Sequence, residues 1–94
     1  MEIKQGNKKF YIGEEKDPIG FIGYFDYGEG MIAIGHTFVK EEYRGQKIAR
    51  LLLNKVVELA RKENLKIAPL CSYALNVFNK DESYNDVYYR GESK

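Results

Sequence analysis

A basic, glycine-containing turn at residues 43–50 is the part of this sequence whose composition points most directly to chemistry. It sets three cationic side chains around Gly45 and opens a segment with helical periodicity. The first N–H groups of a helix have no helical acceptor, and the helix dipole adds about half a positive charge at that end. We therefore expect this turn to hold an anion, specifically a pyrophosphate.

Two further residues have reactive side chains, and each allows two interpretations. His36 is the single histidine, and it is either a strand residue bonded to a neighbour or a general base with an ordinary pKa of about 6.5. Cys71 is the single cysteine, and it is either a small core residue or a nucleophile whose thiol pKa is lowered near a helix N-terminus. We expect both side chains to face one cleft.

Four extended runs precede the basic turn, and short Gly-, Asn- or Pro-containing turns join them, which predicts antiparallel neighbours. The fourth run, Met31–Val39, is apolar on both faces, so we expect a central strand that is covered on both sides. A period of two would place four of its residues on one face: Ile32, Ile34, His36 and Phe38.

The clearest helix spans residues 45–63, where apolar residues recur at three- and four-residue steps before a left-handed stop at Asn64. A short strand follows at residues 66–71, then a helix at residues 73–80 capped by Ser72, and an edge strand at residues 86–89. A strand, a helix and a strand joined in this way form a parallel βαβ unit.

The expected fold class is α+β. The sheet is mixed and mostly antiparallel with one parallel βαβ pair, and a long helix after strand 4 covers one face. A short C-terminal helix lies on another face. Residues 1–94 are expected to form a single domain, with a frayed tail at residues 90–94.

The composition excludes several classes of function. With 15 Lys and Arg against 14 Asp and Glu, the chain has no bulk attraction for nucleic acid or for an anionic membrane. One cysteine and one histidine provide no ligand cluster, so we expect no metal site. No apolar run reaches the ~20 residues of a membrane helix, and we expect a cytoplasmic monomer.

The parallel pair locates the expected site. Ligands bind outside the carboxyl ends of parallel strands, which here are the ends at Val39 and Cys71. Both ends should lie beside the start of the long helix.

Residues 38–49 carry a resemblance to the GNAT superfamily of acyl-CoA-dependent N-acetyltransferases. The family's turn is Arg/Gln-x-x-Gly-x-Gly/Ala between a strand and a helix. Arg44 and Ala49 match its first and last positions, Lys47 stands where the middle glycine is usual, and Gly45 follows the arginine. The likeness covers roughly residues 20–80 and extends to the Pro69-Leu70-Cys71 segment. The chain looks like a minimal version that lacks the two helices usually found between the first two strands.

This resemblance implies acetyl-CoA or coenzyme A as cosubstrate. The CoA pyrophosphate would bind the backbone of Gly45, Gln46, Lys47, Ile48 and Ala49, with Arg44, Lys47 and Arg50 neutralising phosphates. Pantetheine would pair with the strand end at Phe38 and Val39 and be reached by Asn76 and Asn79. A tyrosine, Tyr73 or Tyr84, would act as general acid.

The function implied is transfer of acetyl from acetyl-CoA to an unknown amine acceptor, either a small molecule or a protein. One version has Cys71 accept the acetyl group first while His36 removes its proton. The alternatives are a non-catalytic CoA- or acyl-CoA-binding module and a small protein-interaction domain on a degraded GNAT scaffold.

Overall fold

Residues 2–90 are described by a computed structural model, and they form one five-stranded sheet with two helices. The strands lie side by side in chain order, antiparallel except for the last pair, which is parallel. This is the expected α+β arrangement. The elements in chain order are β1 Ile3–Gly6, β2 Lys9–Glu14, β3 Asp17–Asp26, β4 Met31–Val39, α1 Ile48–Glu63, β5 Lys66–Pro69 and α2 Ser72–Lys80.

The antiparallel part of the sheet is built from tight turns. Two residues link β1 to β2, and the second of them, Lys8, has a φ of 60°. Residues 15–16 link β2 to β3, so Pro18 lies inside β3 beside a register shift and not in the turn, where the sequence had suggested it. A proline is tolerated there because a bulge already interrupts the ladder.

A second register shift changes the expected faces of β4. Gly23 pairs with His36 and Tyr24 pairs with Ile34, so Gly35 is an extra residue in β4. After the inserted residue the side chains still alternate between the two sheet faces, but each residue lies on the face opposite to the one that a strict period of two predicts. Val39 is therefore buried with the core, whereas His36 and Phe38 are exposed. The predicted grouping of His36 and Phe38 with Ile32 and Ile34 was wrong, because a strict period of two does not anticipate an inserted residue.

Both helices pack on the same face of the sheet. One buried cluster contains residues of α1, of α2 and of a single sheet face, including Leu52, Phe78 and Ile34. No helix among residues 2–90 covers the opposite face, where Phe25 and Phe38 are 43% and 40% exposed. The expectation that α2 lies on another face was therefore wrong. Strand β4 is central as expected, but it is buried on both faces only from Ile32 to Ile34, and its second half is covered on one face.

The helix and strand boundaries differ from the predictions at their starts and in the last segment. The long helix begins at Ile48 and not at residue 45, and it ends at Glu63 with Asn64 in the predicted left-handed conformation. Strand β5 ends at Pro69, and Cys71 rather than Ser72 is the N-cap of α2. The predicted edge strand is reduced to a single parallel bridge between Ile67 and Tyr88. The predicted tail lies outside the described residues except for Arg90.

Candidate functional site

A cleft of about 500 Å³ lies where β4 ends and α1 begins. It brings together eight of the eleven predicted cofactor-binding residues: Phe38, Val39, Arg44, Gly45, Lys47, Ile48, Ala49 and Arg50. The remaining lining residues are Thr37, Tyr43 and Tyr73. The end of β4 and the start of α1 therefore converge as expected, whereas Cys71 is not in the lining.

The turn at the mouth of the cleft leaves the start of α1 open. Gly45 and Lys47 have φ angles of 87° and 65°, both in the left-handed region. The first helical hydrogen bond runs from the Leu51 N–H to the Lys47 carbonyl. The N–H groups of Ile48, Ala49 and Arg50 thus precede the helical ladder, and no side chain caps this end of the helix. Such a terminus favours an anion.

Lys47, which stands where a glycine is usual, adopts the left-handed conformation with a φ of 65°. A non-glycine residue in the left-handed region costs roughly 1 kcal/mol or more. Lys47 accepts this conformation and places its cationic side chain in the lining of the cleft. The backbone donors and an added charge therefore coexist at this position.

Arg44 has a structural role in addition to its charge. Its Nε–H donates to the Val39 carbonyl at 3.0 Å, which closes the loop between β4 and α1. The arginine therefore ties the strand end to the turn, and it also contributes to the lining of the cleft. Together with Lys47 and Arg50 it gives the lining three cations. None of the described residues that line the cleft is acidic.

The edge of β4 beside the cleft is unpaired. Strand β5 pairs with β4 from Met31 to Ile34. The Ile34 carbonyl then accepts the N–H groups of both Leu70 and Cys71, at 3.0 and 3.2 Å, where the two strands part. Beyond that point β4 continues to Val39 without a strand on this side. Its outward backbone groups, apart from the Val39 carbonyl that is bonded to Arg44, are therefore available to an extended ligand.

Of the two tyrosines considered as general acids, only Tyr73 lies in the cleft. Burial of its phenol raises the pKa of Tyr73 above the ordinary value of 10.0, with the nearby cation of Arg50 opposing that shift. Tyr73 is therefore protonated and able to donate at neutral pH. Tyr84 is buried and forms hydrogen bonds with Arg50 and Asn54.

The structure does not bring His36 and Cys71 together. Neither residue is in the lining of the cleft, and His36 is exposed on the uncovered sheet face because of the bulge at Gly35. The Cys71 sulfur instead lies 3.3 Å from the Thr37 hydroxyl and accepts the Ala74 N–H at 3.4 Å. The expectation that His36 and Cys71 face one cleft was therefore wrong, and their joint participation has no support here.

The other predicted binding residues lie around the cleft rather than in it. Asn76 lines a neighbouring cavity of about 270 Å³ that shares Arg50 and Tyr73 with the cleft. Asn79 accepts a hydrogen bond from the Tyr88 hydroxyl at 2.7 Å, and Gln46 is exposed.

Two lining residues, Thr37 and Tyr43, were not selected from the sequence. Thr37 shares the predicted face of Val39, which was a usable signal. Tyr43 directly precedes the arginine of the turn.

Within the described residues, no group of three metal-ligating side chains lies close together. None of the helices in that part of the chain has the length and apolar character needed to cross a membrane.

Solved structures with the same fold include proteins of several bacteria. A GCN5-like protein of Staphylococcus aureus, determined in solution by NMR, is 46% identical, with 97% of this chain and 90% of that chain covered and a TM-score of 0.84. The N-acetylglutamate synthase of Neisseria gonorrhoeae, complexed with coenzyme A and N-acetyl-glutamate, shares the fold at 13% identity and a TM-score of 0.63. There the match covers 78% of this chain and 18% of the synthase.

A third structure, Rv2747 of Mycobacterium tuberculosis in complex with CoA, is 12% identical with a TM-score of 0.57, covering 66% of this chain and 40% of that one. Comparison with curated proteins gave no significant match. The family model for the GCN5-related N-acetyl-transferases matches residues 9–87, which is most of the sequence. With the fold, the open helix start and the cationic cleft in agreement, this chain belongs to the GCN5-related N-acetyltransferase family.

Proposed function

We propose that this protein binds acetyl-CoA in the cleft and transfers the acetyl group to an amine. The observation that carries the proposal is the start of α1. Three N–H groups without helical acceptors lie beside a cleft lined by three cations and no described acid. A diphosphate satisfies these donors and neutralises these charges better than a neutral ligand does.

The free edge of β4 supports the placement of the rest of the cofactor. Pantetheine carries amide groups, and an extended ligand with amides can pair with the outward backbone groups of Thr37 and with the Val39 N–H as an added strand would. Phe38 pairs with Phe21 of β3 and contributes to the lining of the cleft. Such pairing of pantetheine brings the thioester towards the point where β4 and β5 part, next to Thr37. CoA or acetyl-CoA accompanies several proteins that share the fold, which agrees with this placement.

The chemistry proposed is direct acyl transfer. The neutral amine nitrogen attacks the thioester carbonyl carbon, the C–S bond breaks, and the amine nitrogen releases a proton to solvent. The departing thiolate of CoA takes a proton from the Tyr73 hydroxyl, which is later reprotonated from solvent. Burial keeps the pKa of Tyr73 above its ordinary 10.0, so the donor form is present throughout the neutral range.

Two measurements test this function in sequence. Calorimetric titration with acetyl-CoA and with CoA reports binding, and thiol release from acetyl-CoA with a panel of amines reports transfer. Binding without amine-dependent thiol release would identify a CoA-binding module instead of an enzyme. Tyr73→Phe should lower kcat by about 10²-fold or more with little change in cofactor affinity. Loss of affinity in that variant would assign Tyr73 to binding instead.

A covalent route through Cys71 stays a prediction and has its own test. In that route the Cys71 thiol loses its proton to solvent, its thiolate attacks the thioester carbonyl, the C–S bond to CoA breaks, and the CoA thiolate takes up a proton from solvent. An amine then attacks the acetyl-cysteine carbonyl, the bond to the Cys71 sulfur breaks, and the proton lost by the amine nitrogen returns to the Cys71 thiolate through solvent. Intact mass after incubation with acetyl-CoA alone would show one added acetyl group, absent from Cys71→Ala. Turnover at the wild-type rate in Cys71→Ser would exclude the route.

A further inference from the structure

Arg50 is at once part of the cleft and part of a network that reaches the C-terminal segment. It belongs to the first turn of α1 and lines the cleft. Its Nε–H donates to the Tyr84 hydroxyl at 2.9 Å, and its Nη2 donates to Asp81 at 2.6 Å. The two acceptors follow α2, more than thirty residues further along the chain. The network therefore connects the start of the first helix to the segment after the second.

Each acceptor of Arg50 is itself held in place. The Tyr84 hydroxyl donates in turn to the Asn54 side-chain oxygen, and its ring stacks on Phe78 with a centroid distance of 5.2 Å. The Asp81 oxygen that does not face Arg50 accepts both the backbone N–H and the hydroxyl of Ser83. The guanidinium is therefore held by two groups whose own positions are fixed.

The exposure of the Arg50–Asp81 ion pair limits what the pair contributes to stability. The side chains of Arg50 and Asp81 are 40% and 36% exposed, and ion pairs with this exposure contribute little to folding. Arginine has five N–H donors in a rigid plane, and two of them are used here. The other three have no partner among residues 2–90, and Arg50 is in the lining of the cationic cleft. The arrangement fits a cation that is oriented in advance for an anionic ligand.

We propose that Asn54, Tyr84 and Asp81 are positioning residues that hold the Arg50 guanidinium at the cleft wall to receive phosphate groups of the acyl thioester. This inference rests on the proposed function. It assigns selectivity for phosphate-bearing thioesters to a network whose outer members do not line the cleft. It also makes the segment from Asp81 to Tyr84 part of the cofactor site through Arg50.

The first test compares two thioesters that differ in their phosphates. Acetyl-CoA carries phosphate groups and acetyl-pantetheine carries none. Tyr84→Phe removes one hydroxyl and should raise the Kd for acetyl-CoA by about fivefold to tenfold, since a charge-assisted hydrogen bond is lost. The Kd for acetyl-pantetheine should stay at the wild-type value. Equal weakening for both thioesters, or no weakening for acetyl-CoA, would overturn the proposal.

Tyr88→Phe is the matched control. The Tyr88 hydroxyl also donates to a side-chain amide, that of Asn79, at 2.7 Å. Its ring packs on the same Phe78 with a centroid distance of 5.2 Å. Tyr88→Phe therefore removes a hydroxyl bonded to a side-chain amide from a ring that contacts the same Phe78, without touching Arg50, and acetyl-CoA should bind it with the wild-type Kd.

A double-mutant cycle tests whether the effect passes through Arg50. In an Arg50→Met background, Tyr84→Phe should leave the Kd for acetyl-CoA unchanged. An undiminished effect in that background would exclude positioning. Asp81→Asn perturbs the network at a second, half-buried position. It keeps an oxygen for Ser83 and removes the charge that faces Arg50, so it tests the same prediction.

Thermodynamic linkage between ligand binding and the stability of the segment at residues 81–85 gives an independent measurement. If the segment positions Arg50 for the ligand, the ligand must stabilise the segment to the same extent. Acetyl-CoA should slow amide hydrogen exchange at residues 81–85 in the wild type, and acetyl-pantetheine should not. A wild-type protein that fails to bind acetyl-CoA would remove the proposed function and this inference together. If the wild-type protein binds acetyl-CoA and Tyr84→Phe binds it with the same Kd, this inference alone would be removed.

Discussion

The two helices of this protein follow the carboxyl ends of the parallel strands β4 and β5, but their first turns differ. At α1 the N-cap is Lys47, in the left-handed conformation and without a side-chain cap. At α2 the N-cap is Cys71, in extended conformation, and its sulfur accepts the Ala74 N–H. One helix start is uncapped and cationic, whereas at the other the sulfur of the N-cap residue accepts one of the first N–H groups. The comparison shows that a helix terminus becomes a candidate site only when its donors are left unsatisfied.

The largest expected effect comes from Gly45→Pro, which destroys the open start. Proline fixes φ near −65°, whereas Gly45 has a φ of 87°. The turn must then take another path, and acetyl-CoA affinity should fall by about 100-fold or more, as measured by calorimetry, while the circular dichroism of the sheet persists.

Gly30→Pro is the control for Gly45→Pro. Gly30 has a φ of 73°, and like Gly45 it has open space where a Cβ would be. It lies in the turn between β3 and β4, so its substitution should lower stability without changing the Kd for acetyl-CoA. Equal affinity loss in both variants would mean that general strain, and not the turn, controls binding.

Lys47→Gly separates backbone strain from charge at the open start. Glycine adopts the left-handed conformation without the steric cost, so the free energy of unfolding should rise by up to about 1 kcal/mol. The loss of the ammonium should weaken acetyl-CoA binding by about fivefold, most clearly at low salt. Urea unfolding and salt-dependent titration measure the two effects. Affinity that rises together with stability would show that Lys47 does not contact the phosphates.

Cys71→Ala removes the sulfur that caps the start of α2, but it adds no cationic side chain at that helix start. Removing an N-cap acceptor should lower the free energy of unfolding by about 0.5–1 kcal/mol, and Cys71→Ser should restore it. Acetyl-CoA affinity should not change in either variant. A new anion-binding site in Cys71→Ala would show that an uncapped terminus is sufficient by itself, contrary to the comparison.

The smallest effect concerns the ion pairs that join the two helical regions. Hydrogen bonds from Ser83 lower the pKa of Asp81, and hydrogen bonds from Arg61 lower that of Asp86, both from an ordinary 3.8. The contribution of these two carboxylates to stability is complete above the ordinary pKa of 3.8, and it is lost as the pH falls through their lowered folded-state pKa values. The melting temperature should therefore drop below about pH 4. Asp86→Asn should reduce that drop, and an unchanged acid profile would contradict the role of the pair.

The sequence was sufficient for features set by local periodicity. The apolar steps of α1 and the stop at Asn64 are properties of one segment, and both were predicted correctly. The start of α1 was placed three residues early because Gly45, Gln46 and Lys47 continue the helical spacing while their backbone turns. Pattern alone does not distinguish the irregular turn from the first turn of a helix.

Features that depend on distant contacts were not accessible. The side of the sheet occupied by α2 follows from packing between Phe78, Tyr84 and α1, which the amphipathic pattern of α2 does not specify. The partnership of Arg50 with Asp81 likewise joins residues 31 positions apart. In the candidate site, six of the predicted lining residues came from the family's turn and two from the end of β4. The separation of His36 from Cys71 depended on the bulge in β4, which the sequence pattern does not reveal.

That bulge has a consequence for protein engineering. Strand β4 carries one residue more than its partner requires, and the extra residue is Gly35. Deleting a single codon at this position would keep Thr37 and Val39 on their present side, since the remaining residues already alternate in phase with Ile34. The strand would straighten while its side-chain pattern stayed constant. A one-residue deletion thus offers a way to vary the curvature of the strand beside the cleft without altering the chemical character of its walls.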